Sequence, residues 1–121
     1  MSRRDTGFPD EVKALVLMRS DGRCEACGER TGDLQYHHRR ARGMGSTRRP
    51  DTNTASNCLL VCLLDHAEIE SHRAISYDRG HLVRSMQSPI AIPVLYRGKW
   101  VLLDDDGYTY PVPAPADGRA S

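Results

Sequence analysis

The sequence is poor in the residues that build large apolar cores and membrane helices. Its 121 residues include one Phe and one Trp, and no stretch approaches the roughly 18 apolar residues that a membrane-spanning helix requires. The only early apolar run, residues 12–18, lies among charged residues and is typical of an amphipathic helix rather than of a signal peptide. We therefore expect one small soluble domain inside the cell, with a thin core that a bound metal would help to stabilise.

Lysine is also scarce. Among 17 Lys and Arg residues only Lys13 and Lys99 are lysines, and the formal net charge is +1. Five arginines fall in one short stretch that has no acidic residue, namely Arg39, Arg40, Arg42, Arg48 and Arg49. Two interpretations stay open, because such a cluster suits phosphate binding whatever the net charge, while codon bias in a G+C-rich genome would also favour Arg over Lys.

Apolar periodicity and turn residues predict an α+β fold. We expect a first helix over residues 9–20, with Pro9 in its first turn and a stop at Asp21-Gly22. Next come a strand at 34–38, a long loop at 39–56, a strand at 58–64, and a helix from Asp65 to about Tyr77 that Gly80 ends. Loops as long as residues 39–56 are usually functional or disordered.

In the last third of the sequence, the pattern predicts short strands and turns rather than helices. Three short strands are expected at residues 90–95, 100–103 and 108–112, joined by turns at Arg97-Gly98 and Asp106-Gly107 into a small hairpin or meander. Residues 1–8 are expected to be flexible, and the Pro- and Ala-rich residues 113–121 to be disordered.

The four cysteines are better explained as metal ligands than as disulfides, which the cell interior disfavours. Cys24 and Cys27 form a CxxCG knuckle, and Cys62 follows near the end of a predicted strand. A tetrahedral zinc site needs a fourth ligand, for which Asp65 is the first choice and Cys58 the second. The alternative is that the second cysteine pair is simply buried.

Histidines form a second cluster. His37 and His38 are adjacent on a predicted strand, so their side chains point to opposite faces and serve two different roles unless the backbone bends sharply. On the following helix, His66 and Glu70 are four residues apart and share one face, where they could bind a metal ion together.

The order CxxC, His-His, Asn57, Cys62, His66 resembles the HNH branch of the His-Me-finger nucleases. The string HHRRARGMG and the later HAEIE are similar to small HNH proteins of actinobacteria and their phages. The resemblance covers about residues 24–79 and implies a ββα-metal core in a nuclease domain spanning 9–112, with a C-terminal β extension at 80–112. Asp65 departs from it, since many members have Cys there.

The resemblance also implies roles and partners. His38 would be the general base, His37, His66 and Glu70 the ligands of a catalytic divalent metal such as Mg²⁺, Mn²⁺ or Ni²⁺, and Asn57 either a brace of the loop or a further ligand. The five arginines would contact double-stranded DNA in the cytoplasm of a bacterium or a phage-infected host. A homodimer, or association with phage packaging or restriction machinery, stays open.

Two other functions use part of the same pattern. A non-catalytic zinc-ribbon module that binds nucleic acid would need the cysteines and arginines but not His37, His38 and His66 together. A zinc deaminase would use His66-Ala67-Glu68, but its CxxC must follow that element, whereas here Cys24 and Cys27 precede it.

Overall fold

The computed structural model describes residues 7–42 and 49–120. Helix α1 spans Asp10–Ser20 and begins after Pro9, whose extended backbone precedes the acidic residues of the first turn. It ends at Asp21, which adopts a left-handed conformation with φ 57°. Both ends agree with the sequence prediction, since acidic side chains favour a helix N-terminus and a left-handed residue commonly ends a helix.

Strands β1 (Leu34–His38) and β2 (Cys58–Cys62) pair antiparallel, with Leu34 opposite Cys62 and His38 opposite Cys58. Helix α2 (Leu63–Ser71) follows β2 without a loop. The predicted second strand is therefore too long by two residues. Cys62 explains the early helix start, because its Sγ accepts a hydrogen bond from the Asp65 backbone N–H and thereby caps the first turn.

The helix after β2 is interrupted, contrary to the expected continuous helix. His72 leaves helical geometry at φ −122° and ψ 67°, and a separate helix α3 spans Arg73–Asp78. Ser76 Oγ lies 3.0 Å from the Ile69 carbonyl oxygen and 2.9 Å from that of His72, so its single O–H is shared between them across the break. Gly80 follows α3 at φ +74°, and a Cβ there would lie 2.0 Å from the Pro93 carbonyl oxygen, so only glycine fits.

A second antiparallel sheet has the order β3-β4-β5, formed by Val94–Tyr96, Lys99–Leu103 and Thr109–Pro111. The prediction of three short strands is confirmed, but the first begins later than expected. Residues Pro89–Ala91 form a 3₁₀ turn instead. Residues 113–120 contain no helix or strand, and their disorder stays a prediction.

Strand β2 lies at the centre of the core, with all five residues buried. Cys58 and Leu60 pack with Phe8 and Val16 on the side of α1, whereas Leu59 and Val61 pack with the second sheet and α2. Within the described ranges, the chain is a small mixed α+β domain with two small antiparallel sheets and three α-helices. No described helix has the length and apolar character needed to cross a membrane.

A buried ion pair joins the helix, the knuckle and both sheets. The fully buried Glu25 carboxylate accepts two 2.7 Å hydrogen bonds from the Arg19 guanidinium. It also accepts from the Tyr96 hydroxyl at 2.7 Å and the Leu60 backbone N–H at 2.9 Å. With its acceptors satisfied, the charge is tolerated inside the core and fixes the knuckle against β2.

Candidate metal centres and cleft

Four potential zinc ligands converge where the knuckle meets the β2–α2 junction. One ligand atom from each of Cys24, Cys27, Cys62 and Asp65 lies within 4.8 Å of the other three. Asp65 Oδ2 is 3.1 Å from Cys24 Sγ and 3.3 Å from Cys62 Sγ. Three sulfurs and one carboxylate oxygen at such distances fit a tetrahedral zinc ion, since these donors are all ordinary zinc ligands.

The electrostatics of this group are those of an anionic donor set. Burial raises the pKa of the Cys62 thiol, and the neighbouring Asp65 and Cys24 side chains raise it further. Although Cys27 is exposed, desolvation of its thiol by the neighbouring groups and a hydrogen bond to Asp65 raise its pKa to about 12. Thiols whose pKa is raised in this way ionise when a cation lies beside them, and a bound zinc ion would supply that charge.

Cys58 is not near this group, so its choice as the alternative fourth ligand is wrong. It starts β2 at the opposite end from Cys62 and packs with Phe8 and Val16 beneath α1. Burial raises the pKa of its thiol strongly. Cys58 is a small apolar core residue, as free cysteines often are.

The second group of potential ligands joins β1 to α2. His37, His66 and Glu70 each have one ligand atom within 4.8 Å of the other two. His37 is buried, whereas His66 is partly exposed and Glu70 is exposed. The three side chains line an open cleft of about 280 Å³ together with His38, Arg42 and Arg73. His66 and Glu70 thus lie on one face of α2, as their spacing in the sequence predicts, and joint metal binding by them stays a prediction.

Hydrogen bonds orient both histidines of this group. His37 Nε2 is 2.9 Å from the His81 carbonyl oxygen and must donate to it, which leaves Nδ1 unprotonated and 3.9 Å from Glu70 Oε2. His66 Nδ1 contacts Gln35 Oε1. Burial lowers the pKa of His37 to about 3, so its ring is neutral and able to bind a metal. A backbone carbonyl that accepts from the second ring nitrogen, as at His37, is a usual arrangement of metal-binding histidines.

His38 lies in the same cleft but outside this ligand group. Its Nε2 is 2.8 Å from Asn53 Oδ1, and Phe8 stacks on the ring with the centroids 4.0 Å apart. Burial lowers the pKa of His38, and the nearby Arg42 charge acts in the same direction. Phe8, assigned to a flexible terminus from the sequence, is instead 3% exposed, because the ring of His38 and the α1 cluster cover it.

Asn57 braces the chain that follows β1. Its fully buried side chain accepts from the Arg40 backbone N–H at 2.7 Å. It donates to the carbonyl oxygens of Arg40 at 3.2 Å and Thr52 at 2.8 Å. Both ends of the loop are thereby held together, and Asn57 is in neither group of potential ligands.

Two of the five predicted phosphate-binding arginines point inward, so that assignment is wrong for them. Arg39 is fully buried and donates to the carbonyl oxygens of Gly80, Ser56, Pro89 and Ile92. Arg40 is 2% exposed, pairs with Asp51 and donates to the Gln87 carbonyl oxygen. Their guanidinium groups satisfy backbone carbonyls that would otherwise be buried without partners.

The other arginines differ in position. Arg42 lines the cleft, and its buried Nε has no hydrogen-bond partner among the described residues. Arg49 is exposed and donates to the Ser85 carbonyl oxygen at 2.8 Å. Arg48 lies outside the described residues, as do residues 1–6 and 121 of the predicted termini.

Sequence reasoning missed the residues that orient the histidines. Gln35 was foreseeable, since it lies two residues before His37 and therefore on the same strand face. Asn53 and His81 carry no such signal, because their contacts join segments 15 and 44 residues apart.

Compared with known proteins, the chain matches no family model, no curated protein and no solved structure.

Proposed function

We propose that the chain is a metal-dependent endonuclease of the HNH type that hydrolyses phosphodiester bonds in double-stranded DNA. One observation carries the proposal: His37, His66 and Glu70 converge in an open cleft that His38 also lines. A neutral histidine beside a three-ligand metal position is a chemically complete set for hydrolysis.

The order of the elements supports the same proposal. Strand β1 supplies His37 and His38, β2 returns antiparallel, and α2 begins at once and supplies His66 and Glu70. This arrangement is the one expected of a ββα-metal core. The cluster of Cys24, Cys27, Cys62 and Asp65 would hold structural zinc where β2 becomes α2, and so set the position of His66 one residue further on.

In the proposed reaction, His38 accepts the proton of the attacking water. Its lowered pKa keeps the ring neutral at physiological pH, while Phe8 and Asn53 hold it in place. Asn53 Oδ1 accepts from Nε2–H, so the proton goes to Nδ1. His37, His66 and Glu70 would bind the catalytic ion, with Mg²⁺, Mn²⁺ and Ni²⁺ as candidates. When bound, that ion stabilises the charge that develops on the scissile phosphate and leaving oxygen.

The experiment is cleavage of supercoiled plasmid by the purified zinc-loaded protein across a panel of divalent metals. We expect nicked and then linear DNA with at least one metal. His38→Ala should lower the cleavage rate by about 10²- to 10⁴-fold, because a positioned base is lost. Its zinc content and DNA affinity should stay near those of the wild type, while its melting temperature should fall modestly, because the stacking on Phe8 is lost.

His72→Ala is the matched control, since His72 is an exposed histidine that lies in neither group of potential ligands. It should cleave at the wild-type rate. If the wild-type protein binds DNA but cuts with no metal, the zinc-ribbon binding module becomes the better account. If His38→Ala cuts as fast as the wild type, His38 is not the base.

A further inference from the structure

Three arginines in or beside the cleft come from separate segments of the chain. Arg42 follows β1, Arg73 begins α3, and Arg84 lies between Gly80 and the 3₁₀ turn at residues 89–91. Arg73 already forms an ion pair with Glu70, whose Oε1 lies 2.9 Å from Arg73 Nη1. Arg84 has no role in the hydrolysis described above, and the sequence pattern did not single it out.

Arg84 lines a groove of its own, called here the Arg84 groove. Its volume is about 380 Å³, and its walls are formed by Ala41, Tyr77, Val83, Arg84, Ser85 and Met86. Ala41 is exposed and also lines the cleft that contains His37 and His38. The cleft and the groove therefore adjoin across a small side chain.

The backbone fixes this adjacency. Val83 pairs with Arg40 in a parallel β-bridge, and its N–H donates to the Arg39 carbonyl oxygen at 2.8 Å. Since the two segments run in the same direction, Arg84 follows alongside Ala41. A side chain 46 positions after His38 is thus held beside the chain that leaves the cleft.

The Tyr77 ring orients the Arg84 guanidinium, but no carboxylate among the described residues balances its charge. Its Cζ lies 4.1 Å from the centroid of the Tyr77 ring, a stacked arrangement that leaves the N–H groups at its edge available. In residues 7–42 and 49–120, no carboxylate and no hydrogen-bond acceptor contacts this guanidinium. The exposed Arg30, by comparison, has Asp21 at 3.5 Å.

A second donor without a partner lies on the cleft side. Arg42 Nε is buried and has no hydrogen-bond acceptor among the described residues. A buried donor left unpaired costs roughly 1–3 kcal/mol, so a ligand oxygen that reached it would be favoured. Arg42 and Arg84 thus offer donors on either side of Ala41.

We propose that the Arg84 groove binds a phosphate of the DNA backbone, so that the strand runs from the cleft beside Arg42, over Ala41, to Arg84. The inference rests on the proposed nuclease function and extends it by naming the path of the substrate. The contact is with phosphate, so it adds affinity without sequence preference.

The test measures the affinity for a labelled DNA duplex against salt concentration, in the His38→Ala background with Mn²⁺ present so that bound DNA is not cut. Arg84→Ala should reduce the slope of log affinity against log salt by about one unit, as expected for one lost phosphate contact. Arg84→Glu should weaken binding further, and Arg84→Lys should retain most of the slope. Arg30→Ala, which removes the same charge away from both cavities, should leave the slope unchanged.

Cleavage provides a second readout. With His38 present, Arg84→Ala should raise KM and leave kcat nearly unchanged, because Arg84 binds substrate away from the reacting atoms. An Arg84→Ala slope equal to that of wild type, or an equal loss in Arg30→Ala, overturns the groove while the nuclease proposal stands. Failure of the wild-type protein both to bind and to cut the duplex overturns the two together.

Discussion

The two groups of potential metal ligands have similar dimensions but differ in donors and access. In each group, the ligand atoms lie within 4.8 Å of one another. The group of Cys24, Cys27, Cys62 and Asp65 offers four donors, which would fill a tetrahedral zinc site and leave no position for a substrate. The group of His37, His66 and Glu70 offers three donors and opens into the 280 Å³ cleft. A closed set suits a structural ion and an open one a catalytic ion.

The difference extends to what surrounds each group. Backbone N–H groups of its own members hold the thiol cluster together, since Cys62 N–H donates to Cys24 Sγ at 3.3 Å and Asp65 N–H to Cys62 Sγ at 3.4 Å. The histidines are instead held by single hydrogen bonds to His81 and Gln35. Loss of a ligand should therefore damage folding at the first group and activity at the second.

The largest effect is expected for Cys24→Ser. The serine places a poor zinc ligand at a fully buried position. If the roughly 10–16 kcal/mol of structural zinc binding is shared equally by four ligands, roughly 2.5–4 kcal/mol of stability is lost. That corresponds to a melting temperature lower by roughly 10–20 °C. Differential scanning calorimetry and zinc analysis check both expectations.

Cys58→Ala is the matched control for Cys24→Ser. It removes a buried sulfur from the α1 cluster, so it should cost on the order of 1 kcal/mol and leave zinc content unchanged. Zinc loss in Cys58→Ala, with retention in Cys24→Ser, would reverse the assignment of the ligands.

An intermediate effect is expected at Asp65. Asp65→Ala should weaken zinc retention, but by less than Cys24→Ser, since Asp65 is partly exposed and a water molecule can take the place of its oxygen. Asp65→Cys should restore retention against a chelator, because it completes a set of four thiolates. Competition with a coloured zinc chelator measures both variants. Equal retention by wild type and Asp65→Ala would remove Asp65 from the site.

The smallest effect is expected for Gln35→Ala. Gln35 Oε1 contacts His66 Nδ1 and fixes the ring that would bind the catalytic ion. Loss of such a partner typically costs about 10- to 100-fold in metal affinity. The Mn²⁺ concentration for half-maximal cleavage should rise by that factor, while zinc content and melting temperature stay constant. A drop in zinc content would mean that the two groups are not independent.

Local pattern predicted much of this molecule. The bounds of α1 and β1, the turn at Arg97-Gly98 and the grouping of Cys62 with Asp65 follow from spacings of a few residues, which period and turn chemistry control. Potential zinc ligands can be recognised in the sequence for the same reason, since few other arrangements bring thiols to such spacings. The coarse α+β class is confirmed on this basis.

Tertiary contacts decided what the sequence could not predict. Arg39 is buried because its guanidinium donates to four carbonyl groups, which come from residues 17 to 53 positions away. Glu25 gave no signal in a knuckle sequence, yet it is buried because Arg19 and Tyr96 meet it. The break at His72 likewise has no local marker such as Pro or Gly. In each case a distant partner overrides local propensity.

The hydrogen bond from His37 to the His81 carbonyl oxygen makes the candidate site depend on residues that follow position 80. His81 Nε2 in turn lies 2.8 Å from the Leu95 carbonyl oxygen, so β3 indirectly fixes the residue that fixes His37. A polypeptide shortened to end at residue 80 would keep every candidate ligand of both groups. It would nevertheless lose the acceptor that sets the tautomer of His37. If the segment that holds the ligands were moved alone into another scaffold, it would therefore lose the contact that orients His37.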